Sequence, residues 1–130
     1  MLGRKPQSIW VRGEHAAAKY LRRNGYTIIT RNLRLPMGEI DILCLEKSTG
    51  TIVIVEVKAR AFDANSPRQI DPIASITQKK QAKLRSLAHA IKKMPQYASE
   101  PIRIDAVSVL FESGRRKPEI TLYRGCVGDS

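Results

Sequence analysis

The chain has 130 residues, 42% hydrophobic and only 5% aromatic, with 23 Lys and Arg against 12 Asp and Glu, for a formal net charge of +11. That length suits one α/β domain with a single core and leaves no room for a second. The cationic excess calls for a polyanionic partner, while the scarcity of aromatic platforms points to the nucleic-acid backbone rather than stacked single-stranded bases.

Residues 1–7 form a polar, basic arm, expected to be flexible. A first helix is predicted from Ser8 to Asn24, with Ser8 as its N-cap, Trp10, Ala17, Tyr20 and Leu21 as its apolar stripe and Gly25 as its stop. Three strands follow, at Tyr26–Thr30, Ile40–Leu45 and Thr51–Lys58, the last β-branched along nearly its whole length, as a central strand buried on both faces should be. Ala59–Ser75 holds two prolines and several polar residues and is predicted to be a substrate loop or lid. A second helix spans Thr77–Met94, with Leu84, Leu87, Ala88 and Ile91 on one stripe and its lysines mostly off it. Strands at Ile102–Leu110 and Glu119–Tyr123 complete the order αβββαββ, an α/β fold with a mixed five-stranded sheet flanked by helices. The domain is expected to cover residues 8–124, with 125–130 as a C-terminal tail.

No stretch approaches the roughly 20 apolar residues of a membrane span, and the N-terminus lacks the apolar run of a signal peptide, so no membrane partner and a cytoplasmic location are expected. Cys44 and Cys126 lack the spacing of a zinc or redox motif and read as structural or incidental thiols.

The sharpest signal lies in the second and third strands, where Glu39, Asp41, Glu56 and Lys58 interrupt apolar runs. Residues two apart on a strand share a face, so Glu39 joins Asp41 and Glu56 joins Lys58. The polar cluster Glu46–Gly50 suits a hairpin turn, and centring it on Ser48-Thr49 sets Asp41 opposite Glu56 and Glu39 opposite Lys58. Carboxylates so opposed, with Cβ atoms about 5 Å apart, repel unless one takes a proton or a cation sits between them. Hard oxygen donors favour Mg²⁺ or Mn²⁺. The alternative is a pair of strand-end acids salt-bridged to Arg60, Lys58 or Arg34. Charge is distributed to match a phosphate-gathering site: residues 1–40 carry eight basic and two acidic side chains and residues 61–100 seven and three, whereas 41–60 is balanced at three each.

An acid on one strand followed by Glu-x-Lys on the next is the pattern of metal-dependent phosphodiesterases. Gly13-Glu14, Gly25-Tyr26, Arg31-Asn32, Gly38-Glu39-Ile40-Asp41, Val55-Glu56-Val57-Lys58-Ala59-Arg60, Lys80-Gln81 and Arg103-Ile104-Asp105 occur in that order. With these residues the chain, from about Gly13 to Tyr123, resembles the YraN-like family of small bacterial proteins. That family is placed in the restriction-endonuclease-like superfamily and related to archaeal Holliday-junction resolvases. The resemblance implies a restriction-endonuclease-like fold, Asp41 and Glu56 as metal ligands, Lys58 as the catalytic lysine and Glu14 as an accessory acid.

Around that core, the carbonyl of Val57 is a candidate backbone ligand and Glu39 a supporting group. Arg60, Lys79, Lys80, Gln81 and Lys83 are candidates for nucleic-acid contact. His15 reads as a surface residue, and Asp105 as the partner of an arginine. The function expected is an endonuclease hydrolysing DNA phosphodiesters with Mg²⁺ or Mn²⁺, acting on branched or damaged DNA, as a homodimer if it cuts two strands. The alternative is a non-catalytic nucleic-acid-binding module of the same fold. A ribosome-associated factor shares the charge but has no use for the acid-lysine constellation.

Overall fold

The computed structural model describes residues 8–63 and 76–128. Helix α1 spans Ile9–Arg23, strands β1, β2 and β3 span Tyr26–Leu35, Gly38–Glu46 and Thr51–Phe62, helix α2 spans Gln78–Lys92, and strands β4 and β5 span Ile102–Glu112 and Glu119–Tyr123. The five strands form one sheet in the order β1-β2-β3-β4-β5. All neighbours are antiparallel except β3 and β4, which run parallel. A parallel neighbour requires a crossover, and α2 lies within it. The fold is therefore α/β, a mixed sheet with a helix on each face and the element order αβββαββ.

Alternation along the strands builds two cores. Ala17, Ala18 and Leu21 of α1 pack with Ile42, Cys44, Val53, Val55, Val57, Val107 and Val109, while Leu84, Leu87 and Ile91 of α2 pack with Leu43, Ile52, Ile54, Ile104 and Ala106. Strand β3 feeds both clusters, which is why it reads as an unbroken β-branched run. Each fully buried Leu, Ile or Val contributes about 1.5–3 kcal/mol relative to exposure.

Local signals hold at the helix starts. The Ser8 hydroxyl accepts from Val11 N–H at 3.2 Å, and Thr77 does the same for Lys80 N–H at 3.2 Å. Gly25, at φ +88°, ends α1.

Two expectations change. Strand β1 runs to Leu35 rather than Thr30, because Arg31, Leu33, Arg34 and Leu35 pair with Ile42, Ile40, Glu39 and Gly38. Ala59–Phe62 continues β3 instead of opening the loop, since these residues pair with Val109–Glu112 of an equally long β4. Within the expected C-terminal tail, Gly125–Val127 is docked: Gly125 N–H donates to Asp105 Oδ1 at 2.9 Å, Cys126 N–H to the Ile104 carbonyl at 3.0 Å, and Val127 joins the α2-side core. The expected arm at 1–7 and the rest of the expected loop, 64–75, lie outside the described residues.

Among the described residues, no helix is long and apolar enough to cross a membrane.

Candidate active site

The β2–β3 hairpin runs from Glu46↔Thr51 to Ile42↔Val55, the register that a turn centred on Ser48-Thr49 requires. Asp41 and Glu56 are the next residue on each strand beyond the last pair, near enough for the Glu56 carboxylate to act on Asp41. There the backbone ladder gives way to a side chain: Val57 N–H donates to Asp41 Oδ2 at 2.8 Å. Ile40 packs with the α2-side cluster although Ile42 and Cys44 pack with the α1-side one, so β2 turns as it leaves β3 and carries Asp41 between the helices. A strand residue turns its N–H and C=O toward the same neighbour. The Val57 carbonyl therefore faces the gap that Asp41 fills.

Helix α1 is brought close by its one glycine, Gly13. A Cβ on Gly13 would stand 2.5 Å from Ala59 Cβ, so only glycine allows this approach of helix to strand. The Arg12 guanidinium lies 4.5 Å from the centre of the Phe111 ring and fixes the same helical turn against β4. Glu14 follows directly and is buried. Helix α2 enters from the other face. Lys80 Nζ lies 3.3 Å from Glu56 Oε1, and Lys58 Nζ lies 3.6 Å from the same oxygen.

The electrostatics of this cluster are unbalanced. Asp41 is 8% exposed, and its carboxyl is pushed up to about 7, by burial first and then by the neighbouring Glu56 carboxylate, against the Val57 N–H. Glu14 is raised as well, by burial, with Arg31 pulling the other way and Glu39 adding to the rise. Asp41 is therefore only partly ionised near neutral pH. Among the described residues no three His, Cys, Asp or Glu side chains converge as a metal cluster. A metal here would rest on the two carboxylates, the Val57 carbonyl and oxygen ligands from water or substrate. That hard donor set suits Mg²⁺ or Mn²⁺, and the charge it would supply is what Asp41 lacks.

The sequence-derived candidates fall into two groups. Glu14, Asp41, Glu56 and Lys58 come together, with Val57 between the last two. Lys80, expected on the nucleic-acid face of the helix, joins them through Glu56 because the crossover sets the start of α2 over β3. Glu39 pairs with Arg34 of β1 at 3.5 Å. Arg60 is exposed, its Nη1 donating to the Ala59 carbonyl at 2.9 Å. Lys79 and Lys83 are exposed on α2, Lys83 passing over Gly38, where a Cβ would meet its Cε at 2.7 Å. Gln81 is otherwise engaged: its side-chain amide donates to the Ile76 carbonyl at 3.2 Å and steadies the entry to α2. His15 is exposed.

A second polar cluster was only partly foreseen. Asp105 does pair with an arginine, Arg103, at 2.8 Å, but Tyr26, Glu46, Thr49 and Arg124 complete the network. The alternation of Arg103 and Asp105 on one strand signals their pairing; nothing local signals the other members.

Among curated proteins, a UPF0102 protein of Renibacterium salmoninarum is 41% identical over 113 residues, covering 87% of this chain and 90% of the relative. One of Desulfosudis oleivorans is 43% identical over 98 residues, covering 75% and 74%. Among solved structures, the EndoMS-dsDNA2 complex overlaps 85% of this chain with a TM-score of 0.45 and 15% identity. This chain spans 40% of the length of that one, and at that TM-score the overlap carries no functional weight. The family described as Uncharacterised protein family UPF0102 matches residues 13–109, and the chain belongs to it.

Proposed function

We propose that the chain is a metal-dependent endonuclease that hydrolyses DNA phosphodiesters, with Asp41, Glu56 and the Val57 carbonyl holding Mg²⁺ or Mn²⁺. One observation carries the reading: two buried carboxylates meet where the β2–β3 ladder ends, one of them held up near 7, with Lys58 3.6 Å from the other. Bound there, the metal would lower the pKa of a water and offset charge growing on the phosphate. The Asp41 carboxylate, oriented by Val57 N–H, would exchange its proton for that cation. The Lys58 ammonium, held beside Glu56, would orient the attacking water or stabilise the developing negative charge. Glu14 would assist from α1, with Glu39 supporting it. Arg60, Lys79 and Lys83 would grip phosphates without reading bases, and Lys80 would pass between Glu56 and substrate. Branched or damaged DNA is the substrate version supported by the likeness of the acid-lysine motif to resolvases, and a symmetric homodimer would let both strands be cut.

The test is cleavage of branched and linear DNA with Mn²⁺ or Mg²⁺ by the wild type and by Asp41→Ala, Glu56→Ala and Lys58→Ala. Each substitution is expected to lower the rate at least ~10²-fold while sparing the fold and much of the DNA affinity. Cleavage persisting in all three would overturn the proposal.

One observation favours the second reading, a non-catalytic nucleic-acid-binding module: two lysines already meet Glu56 at 3.3 and 3.6 Å, an ion triad that needs no metal. On that reading DNA binding is indifferent to chelator, and removing the acids leaves affinity unchanged or raises it.

A further inference from the structure

Asn32 is the one non-glycine residue among those described with a positive φ, at 53°. This left-handed conformation is tolerated by asparagine better than by most side chains, yet it is uncommon inside a strand. Its neighbours Arg31 and Leu33 pair normally with Ile42 and Ile40, so the ladder is kept on both sides while the Asn32 side chain is re-aimed. Two carboxylate oxygens from different elements face one end of its carboxamide, which makes that end the nitrogen. It donates to Glu14 Oε1 at 2.8 Å and to Glu39 Oε1 at 3.1 Å. Both amide hydrogens are thereby used on carboxylates, one from α1 and one from β2.

Backbone geometry alone would be served as well by glycine, which has no side chain to offer Glu14. Charge alone would be served by lysine or arginine, whose cation would neutralise the acids it held. A carboxamide does something neither can. It holds two mutually repelling carboxylates together and leaves their negative charge available to a cation.

We infer that Asn32 is a positioning residue: it ties the Glu14 carboxylate of α1 to the Glu39 carboxylate of β2 and so sets where Glu14 stands beside Asp41. The consequence for catalysis rests on the nuclease reading; the contact itself does not.

Asn32→Gly keeps the backbone preference and removes both donors. Metal-dependent cleavage is expected to fall about tenfold or more, and the Mn²⁺ concentration giving half-maximal rate to rise, beyond what a modest fall in Tm explains. In a Glu14→Gln background the same substitution is expected to change the rate less than about twofold, because the group it acts through is gone. A wild-type rate for Asn32→Gly, or equal losses in both backgrounds, would overturn the inference. Should the wild type itself not cleave DNA, the nuclease reading fails by that result. The side-chain amide signals of Asn32 in a ¹H–¹⁵N spectrum then decide the positioning role. They are expected to move in both Glu14→Gln and Glu39→Gln, and signals unmoved in both overturn it.

Discussion

Asp41 and Glu46 lie five residues apart on the same strand and are equally withdrawn from water, 8% and 6% exposed, yet burial leaves them in opposite states. Glu46 is drawn down to about 2, by the Arg103 guanidinium first, with Thr49 and Tyr26 adding hydrogen bonds. Arg103 grips both Glu46 oxygens at 3.0 and 3.1 Å and both Asp105 oxygens at 2.8 and 3.0 Å, while Arg124 reaches Glu46 at 2.7 Å. Asp41 is raised to about 7 by burial first and then by Glu56, with Glu14 adding to the rise and the Val57 N–H and Lys80 pulling the other way. Burial is the first cause of the rise at Asp41, whereas at Glu46 the donors supplied, Arg103 first, outweigh it. An acid cluster whose charges are all answered serves as a structural clamp between strands; in the Asp41 cluster both lysines lie on Glu56, and on the nuclease reading a cation from outside would answer Asp41.

The sharpest way to break this contrast is to remove a charge from each cluster. Arg103→Ala strands two buried carboxylates and is expected to cost about 3–5 kcal/mol in urea unfolding. A loss under about 1 kcal/mol would show that the clamp is incidental. The native Glu46 carboxyl lies below its ordinary value, so its stabilisation is present above pH 4.5 and lost as pH falls toward about 2.

Asp41→Asn should act in the other direction. The native Asp41 carboxyl is raised from 3.8 to about 7, so the folded chain holds a proton that the unfolded chain releases, and stability is lost as pH rises between those values. Without metal, Asp41→Asn is therefore expected to gain on the order of 1–3 kcal/mol at pH 8 and almost nothing at pH 4. A loss at pH 8 would make Asp41 a satisfied acid like Glu46.

Gly13→Ala tests how the site is assembled. Its Cβ would stand 2.5 Å from Ala59 Cβ, so α1 must shift, at a cost of about 1–3 kcal/mol, and Glu14 shifts with it. Stability should fall modestly and cleavage by more than the unfolded fraction explains. The smallest effects are expected on the rim. Lys79→Ala and Lys83→Ala should leave stability within about 0.5 kcal/mol and each reduce the salt dependence of DNA binding by about one ion.

Much of the site was legible because it is local. A polar turn between two apolar runs sets the register, and that register makes Asp41 and Glu56 the next residues beyond its last pair. Glu56 and Lys58 share a face by strand geometry alone. What was not legible depends on chain segments far apart in sequence. The pairing of Lys80 with Glu56 needs the placement of α2 over β3, and the Glu46 clamp needs residues from both sides of the crossover and from the chain end. Ala59–Ala61 lacks the β-branched signature of a strand and is held in one by β4. Asn32 was visible as part of a motif, but its reversed backbone and its two carboxylate partners appear only once α1 lies against the sheet.

The most direct measurement is Mn²⁺ binding by isothermal titration calorimetry to the wild type and to the Asp41→Ala, Glu56→Ala double variant, with and without an uncleavable DNA analogue. A metal site at this pair requires micromolar-to-millimolar binding by the wild type that is lost in the variant, accompanied at pH 7 by proton release from Asp41. Equal binding by both, or none by either even with DNA present, would contradict it.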